Sequence, residues 1–258
     1  MTVQSGQKGQ ESLYGFPYHH LVDFDDQSGR GFRSGRWYPG ALRYASYLLA
    51  VSKTVAEEPF DSLVDIGCGD GRLTGKLAER FEGQKVVGVD VATNALQLAR
   101  CISGRPNVSF VECDITQRAP EGAPFDCGTM VEVLEHIPLD QVEAFVSGVG
   151  RLIRPGGRLI VTVPSTNMNL KNITRHHQHF TQETLKAALA ADFEPVGVRH
   201  VNRRGKVPRW MQKVVSNKLF ALTHERALDF VFQQYNDWFF EADEKTGLRV
   251  FGVFRRRE

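Results

Sequence analysis

The chain has 258 residues with a formal net charge of +2 and a sequence pI near 8.3. That length supports one sizeable core, and the near balance of charge excludes a dedicated nucleic-acid-coating protein while leaving room for a local basic patch. There is no run of roughly 18 apolar residues, and the opening "MTVQSGQKGQES" lacks an apolar signal segment, so a cytoplasmic protein with no stable membrane insertion is expected.

Taken in chain order, the first dozen residues are polar, rich in Gly, Gln and Ser, and read as disordered. In the following segment Ala41, Tyr44, Tyr47, Leu48 and Val51 recur at helical spacing, which predicts a helix ahead of the core. Residues 1–59 are therefore read as a tail and helical cover, and 60–258 as an α/β domain. From "SLVDIG" onward strand and helix signals alternate, the pattern of a parallel sheet covered on both faces. "RLTGKLAERF" follows as a helix and "KVVGVD" as a second strand, with Thr93 the expected N-cap of the next helix. "VSFVECD" and "FDCGTMV" are the third and fourth strands. The helix "DQVEAFVSGVGRLI" carries Val142, Phe145, Val146, Val149, Leu152 and Ile153 on one stripe, with "RPGG" as its stop and "RLIVTVP" as the fifth strand.

A helix "TQETLKAALAA" leads to a sixth strand, "FEPVGVRHVN", and the chain closes on "LRVFGVFRR". Between those strands, about residues 203–246, lies a segment too apolar for a linker, which reads as a helical insertion. The four cysteines, Cys68, Cys101, Cys113 and Cys127, show neither CxxC spacing nor the density of a disulfide scaffold, so free and mostly buried thiols are expected.

"VDIGCGDGRL" sets Asp65, Gly67, Gly69 and Gly71 at the first strand-to-helix junction, where the backbone must turn sharply and approach a ligand without a Cβ in the way. Arg72 stands where a GxGxxG fingerprint would need its last glycine, so the spacing is GxGxG. Asp90 ends the second strand and Asp114 the third, one where a carboxylate can accept ribose hydroxyls and the other where it can accept from an adenine amine.

With these residues the sequence resembles the class I S-adenosylmethionine-dependent methyltransferases from about Phe60 to Phe193. The resemblance implies a Rossmann-like seven-stranded sheet with the last strand antiparallel and the cofactor across the carboxyl ends of the first strands. It assigns Asp65, Gly67, Gly69 and Gly71 to the methionine moiety of S-adenosyl-L-methionine, Asp90 to the ribose, and Asp114 with Ile115 to the adenine, and it includes Val91 and Val131 among the cofactor-binding residues.

The fourth strand runs into "TMVEVLEHIP", which crowds Glu132, Glu135 and His136 together, and "ITRHHQHFT" follows the fifth with His176, His177 and His179. Carboxylates and imidazoles together suit a divalent Mg, Mn, Fe or Zn, and such an ion would lower a bound hydroxyl's pKa. Without metal, His136 oriented by Glu135 is a general base; alternatively the pair caps a helix or meets a buried arginine. The motifs E-x-x-E-H and R-H-H-x-H resemble those of metal-dependent small-RNA terminal 2′-O-methyltransferases, which implies Glu132, Glu135, His136 and one downstream histidine as metal ligands; His176 and His179 are preferred because the following "FT" begins a helix and a bend there turns that flanking pair toward the sheet edge. "EVLEH" is equally similar to ubiquinone-pathway O-methyltransferases. The expected activity is O-methylation of a small polar hydroxyl acceptor such as a sugar, polyol or phenol. The alternatives are methylation of the 3′-terminal ribose of RNA and a non-catalytic cofactor-binding partner subunit.

His19, His20, Arg36, Trp37 and Tyr38 are candidates for the cover over the cofactor or for packing on the sheet edge. Trp210, Phe220, Phe230, Phe232, Trp238 and Phe239 in the insertion read as core, a substrate wall or a homodimer face. Arg203, Arg204, Lys206, Arg209 and Lys213 read as a solvated surface or as a contact to phosphate on RNA, a nucleotide-linked substrate or an anionic membrane.

Overall fold

The computed structural model describes residues 22–34, 40–168 and 175–258. The polar N-terminal dozen and the cover candidates His19, His20, Arg36, Trp37 and Tyr38 lie outside them. A small antiparallel hairpin, β1 (Val22–Asp23) with β2 (Arg33–Ser34), precedes α1 (Ala41–Val55). The core then alternates β3 (Ser62–Ile66), α2 (Arg72–Arg80), β4 (Lys85–Asp90), α3 (Thr93–Ile102) and β5 (Val108–Glu112). After β6 (Phe125–Val131), α4 (Val142–Leu152) and β7 (Ile153–Pro164) come α5 (Gln182–Leu189) and β8 (Phe193–Arg203). The insertion is α6 (Lys206–Val215) and α7 (Glu225–Phe239), and β9 (Glu241–Ala242) and β10 (Gly247–Arg256) close the chain.

The large sheet has the order β5-β4-β3-β6-β7-β10-β8-β9. β5, β4, β3, β6 and β7 are parallel, and β10 enters antiparallel between β7 and β8. The expected seven strands and reversed last strand are present, with the two-residue β9 added as an eighth beside β8. The central strands carry near-continuous apolar runs because both faces are covered. One core layer joins Leu63, Val86, Cys127, Ile160 and Phe251 to α1, α2, α6 and α7; the other joins Val64, Val87, Met130, Val161 and Val250 to α4 and α5.

The N-terminal and C-terminal additions form one layer. Phe32 stacks on Phe232 of α7 at 4.6 Å, and Ser46 of α1 donates to Asn236 at 2.7 Å. Such ring pairs contribute about 0.5–1.5 kcal/mol beyond area burial. The buried Arg158 of β7 donates to the carbonyls of Thr54, Val55 and Glu58, satisfying acceptors at the end of α1 where a cation also meets the negative helix pole.

Two local expectations are corrected. Thr93 is the first helical residue of α3, with Ala92 at the cap position; its hydroxyl donates to Glu112, which outcompetes capping. The helix α4 ends at Leu152, and Ile153 already pairs with Phe125, so "RPGG" forms an irregularity inside β7 with Gly156 at φ 72°. Of the cysteines, Cys101 is exposed and the other three are buried. Among the described residues no helix is long and apolar enough to cross a membrane.

Candidate functional site

The carboxyl ends of β3, β4, β5 and β6 lie side by side, and each hands over to a residue that the sequence singled out. The first is the glycine loop. The N–H groups of Gly67 and Cys68 both donate to the carbonyl of Val89 at 2.8 and 3.0 Å, tying the loop to the end of β4. Gly67, Gly69 and Gly71 have φ of 70°, 54° and 76°, the left-handed region where a side chain is disfavoured. A Cβ at Gly67 would stand 2.5 Å from Val133, and one at Gly71 2.8 Å from Ala99. Close packing of the loop's underside therefore requires glycine at both positions, independently of any ligand.

Asp65 lies beneath that loop, only 2% exposed, where it accepts hydroxyl bonds from Thr74 at 2.6 Å and Thr129 at 2.7 Å. Burial lifts its pKa to about 6 against those two bonds, and the neighbouring charge of Asp90 adds to the rise. Its place is that of a clamp joining β3, α2 and β6 under the loop. Asp90 accepts from the N–H of Gly69 at 2.8 Å and of Ala92 at 2.9 Å, and burial raises its pKa. With three backbone donors, the third from Val91, against about four lone-pair sites, the carboxylate keeps acceptor capacity for a ribose hydroxyl. Asp114 takes the N–H and hydroxyl of Thr116 on one oxygen and the amide of Gln117 on the other, so it braces the turn after β5. Ile115 beside it is buried, and Val91 and Val131 are half-buried at the ends of β4 and β6.

The end of β6 is built differently. Glu132 has φ 56°, an uncommon conformation for a residue with a side chain, while its N–H donates to Thr162 at 2.9 Å. Its carboxylate is held by Arg249 of β10 at 3.0 and 2.9 Å and by the Thr162 hydroxyl at 3.1 Å. Arg249 also lies 4.6 Å over the Tyr47 ring. Burial and repulsion by Arg249 lower the pKa of Arg43 on α1, against the charges of Tyr235, Tyr47 and Glu132.

A single 3₁₀ turn, Leu134–His136, then carries Glu135 and His136. Glu135 is 0% exposed, and neither of its oxygens has a hydrogen-bond partner among the described residues. Burial, followed by the nearby Glu132 charge, pushes its pKa well above the ordinary value of 4.5.

The histidines meet it from both motifs. His136 Nδ1 lies 3.0 Å from the carbonyl of Arg175, and His179 Nδ1 lies 3.2 Å from that of Met168. Ring protons on these nitrogens satisfy both carbonyls, and His176 Nδ1 then donates to His179 Nε2 at 2.9 Å. This assignment leaves Nε2 of His136 and of His176 with free lone pairs, and desolvation lowers the pKa of both rings, that of His176 to about 4. One ligand atom each from Glu135, His136 and His176 lies within 4.8 Å of the others.

An orphaned buried carboxylate beside two neutral imidazoles fits a divalent cation, with His179 orienting His176 from behind. His177 faces solvent and contributes its N–H to the Glu135 carbonyl at 2.8 Å. The structure thus gathers Glu135, His136, His176 and His179, and engages Glu132 with Arg249. Arg249, Thr74 and Thr129 were missed by sequence reasoning. An arginine interrupting the apolar register of β10 is the signal that could have found the first; the threonines carry none.

A family described as "Methyltransferase domain" matches residues 63–157. The chain is similar to the ubiquinone biosynthesis O-methyltransferase of Paracidovorax citrulli, 33% identical over 109 residues, or 41% of this chain and 44% of that one. It is also 30% identical over 160 residues to the protein of the same name from Idiomarina loihiensis, covering 53% of this chain and 63% of the relative. The match thus spans less than two thirds of either relative's length. In structure it is similar to the N-methyltransferase NodS from Bradyrhizobium japonicum in complex with S-adenosyl-L-homocysteine, with TM-score 0.59 and 16% identity over 98% of this chain and 99% of that one. At that identity the likeness is one of fold.

Proposed function

We propose, on the premise that this chain has the class I S-adenosylmethionine-dependent methyltransferase fold, that it is an O-methyltransferase acting on a hydroxyl of a small polar metabolite such as a sugar, polyol or phenol, with a divalent metal as helper. The observation that carries the reading is the buried Glu135 carboxylate, without a hydrogen-bond partner among the described residues, converging with His136 and His176 beside the glycine loop.

S-adenosylmethionine, when bound, supplies an electrophilic methyl group on a sulfonium. The chain's part is to hold it: the loop from Gly67 to Gly71 offers a close backbone approach, and Asp90 offers lone pairs to the ribose. Glu135, His136 and His176 would hold a Mg, Mn, Fe or Zn ion, which would supply positive charge to lower a hydroxyl's pKa. Burial around Glu135 keeps bulk water from competing, and His179 fixes the ring of His176 through their 2.9 Å bond. His136, kept neutral by its surroundings, can itself take a proton on Nε2.

A second reading, methylation of a terminal ribose hydroxyl of RNA, draws on the same convergence of the E-x-x-E-H and R-H-H-x-H motifs. It requires acceptor binding that weakens steeply with salt, whereas a small neutral acceptor does not. The deciding measurement is elemental analysis of purified protein with turnover before and after rigorous chelation. Bound metal, with activity lost on chelation and restored by the ion, supports the proposal. Full activity in metal-free protein assigns the chemistry to His136 alone, and absence of calorimetric heat with S-adenosylhomocysteine overturns the whole reading.

A further inference from the structure

From Arg203 to His224 the chain carries six cations, Arg203, Arg204, Lys206, Arg209, Lys213 and Lys218, and no carboxylate. All six are exposed, and among the described residues none forms an ion pair. The same stretch displays large apolar side chains: Val207, Trp210 at 64% exposure, Leu219 at 87% and Phe220.

The helix α6 explains part of this. Pro208, Met211 and Val215 form its buried stripe against the α1 and α7 layer. A second apolar stripe at the same spacing has Val207 and Trp210 exposed and Val214 half-buried, and Lys206, Arg209 and Lys213 run beside it. The turn that follows is built rather than loose. Asn217 Oδ1 accepts from the N–H groups of Leu219 and Phe220, and its amide donates to Lys213 O at 2.9 Å. The turn is thereby fixed at the end of α6 with Leu219 outward.

We propose that α6 and the Asn217–Phe220 turn dock this protein onto an anionic lipid bilayer surface, with Trp210, Leu219 and Phe220 entering the headgroup boundary and the cations meeting lipid phosphates. An aromatic ring, an aliphatic tip and a flanking row of long cations are the composition that lies in a membrane interface. The exposed Leu219 and Val207 gain nothing from a nucleic acid, whose recognition uses stacking rings and charge. A second copy apposing this face across a twofold axis would bring cations against cations with no acid in the segment to offset them. The inference is independent of the methyl-transfer reading, since no residue of the glycine loop or of the Glu135 site belongs to this surface.

The test is co-sedimentation of the full chain with phosphatidylcholine vesicles, alone or with phosphatidylglycerol. Binding is expected only with the anionic lipid, and is expected to weaken with salt. Trp210→Ser with Leu219→Ser should lower the partition coefficient at least about tenfold, and each of Lys206→Gln, Lys213→Gln and Lys218→Gln about fivefold. Melting temperature and the heat of S-adenosylhomocysteine binding should stay unchanged in these surface variants, which separates this proposal from the catalytic one. Hydrogen exchange supplies a measurement free of substitution: the Leu219 and Phe220 amides should gain protection on adding anionic vesicles. Failure to pellet with either vesicle, pelleting unaffected by the Trp210 and Leu219 changes, or a dimer in solution that these changes dissociate would overturn the proposal.

Discussion

Along one sheet edge, β3, β4 and β5 carry or lead into aspartates whose oxygens are occupied by the chain's own donors, whereas β6 leads into Glu132 in a left-handed conformation and Glu135 with no donor among the described residues. The first half is complete as folded, so its geometry is fixed before any ligand arrives. The second half is unfinished. A buried polar group without a partner costs about 1–3 kcal/mol, and such a cost persists in a fold where another species offsets it. The contrast separates a preorganised cradle from a site whose form depends on its occupant.

The sharpest way to break that contrast is at Glu135. If the carboxylate is a ligand, Glu135→Gln should lower kcat/KM by more than about a hundredfold, beyond the loss expected when only a supporting partner is removed. Stability should move the other way: Glu135→Met should make the metal-free protein more stable by about 1–3 kcal/mol, because it removes the orphaned group at similar volume. Thermal melts with and without added divalent ion check both halves, since only wild type should gain stability from the ion. A Glu135→Met protein less stable than metal-free wild type would mean that Glu135 is satisfied within the chain.

The sequence made the cradle legible and left the other half partly hidden. Glycines at fixed spacing and acids at strand ends are local signals, because the turn after β3 needs positive φ over a few residues. The parallel sheet followed from the alternation of strand and helix signals, and its reversed last strand from the family resemblance. What Glu132 does was not legible: its partner Arg249 lies 117 positions away and is brought to it only by β10 entering antiparallel beside β7. Likewise, the expectation that Asp65 touches ligand follows from its place in the motif, but its burial under Thr74 and Thr129 depends on packing between three elements. His176 and His179 were preferred over His177, and their pairing at 2.9 Å depends on the Met168 carbonyl, which no sequence pattern specifies.

The cradle half can be sharpened through pH. Asp65 has an ordinary pKa of 3.8 and is held at about 6 in the fold. Between those values the folded state binds a proton that the unfolded chain has released, so raising pH favours unfolding. The stability this group contributes is fully present below the unfolded value and is lost as pH rises through the folded one. Wild type should therefore lose about 1.4 kcal/mol per pH unit relative to Asp65→Asn across that window, read as the difference between their urea midpoints in ligand-free protein. A flat difference would mean that the Thr74 and Thr129 bonds fully compensate burial of the charge.

The smallest expected effect distinguishes bracing from ligand contact at Asp114. Asparagine there keeps an acceptor for the N–H and hydroxyl of Thr116 but loses the acceptor of the Gln117 amide, an exposed bond worth about 0.5–1.5 kcal/mol. If Asp114 only braces the turn, Asp114→Asn should lower S-adenosylhomocysteine affinity about threefold, and Gln117→Ala should do the same because each removes the same bond. If the carboxylate accepts from the adenine amine, Asp114→Asn should weaken binding well beyond Gln117→Ala. The excess should vanish for an analogue in which hydrogen replaces that amine, since neither protein could then make the contact. Calorimetry on the two variants with both ligands decides the matter: equal losses confine Asp114 to the turn, and unequal losses give it a direct hold on the base.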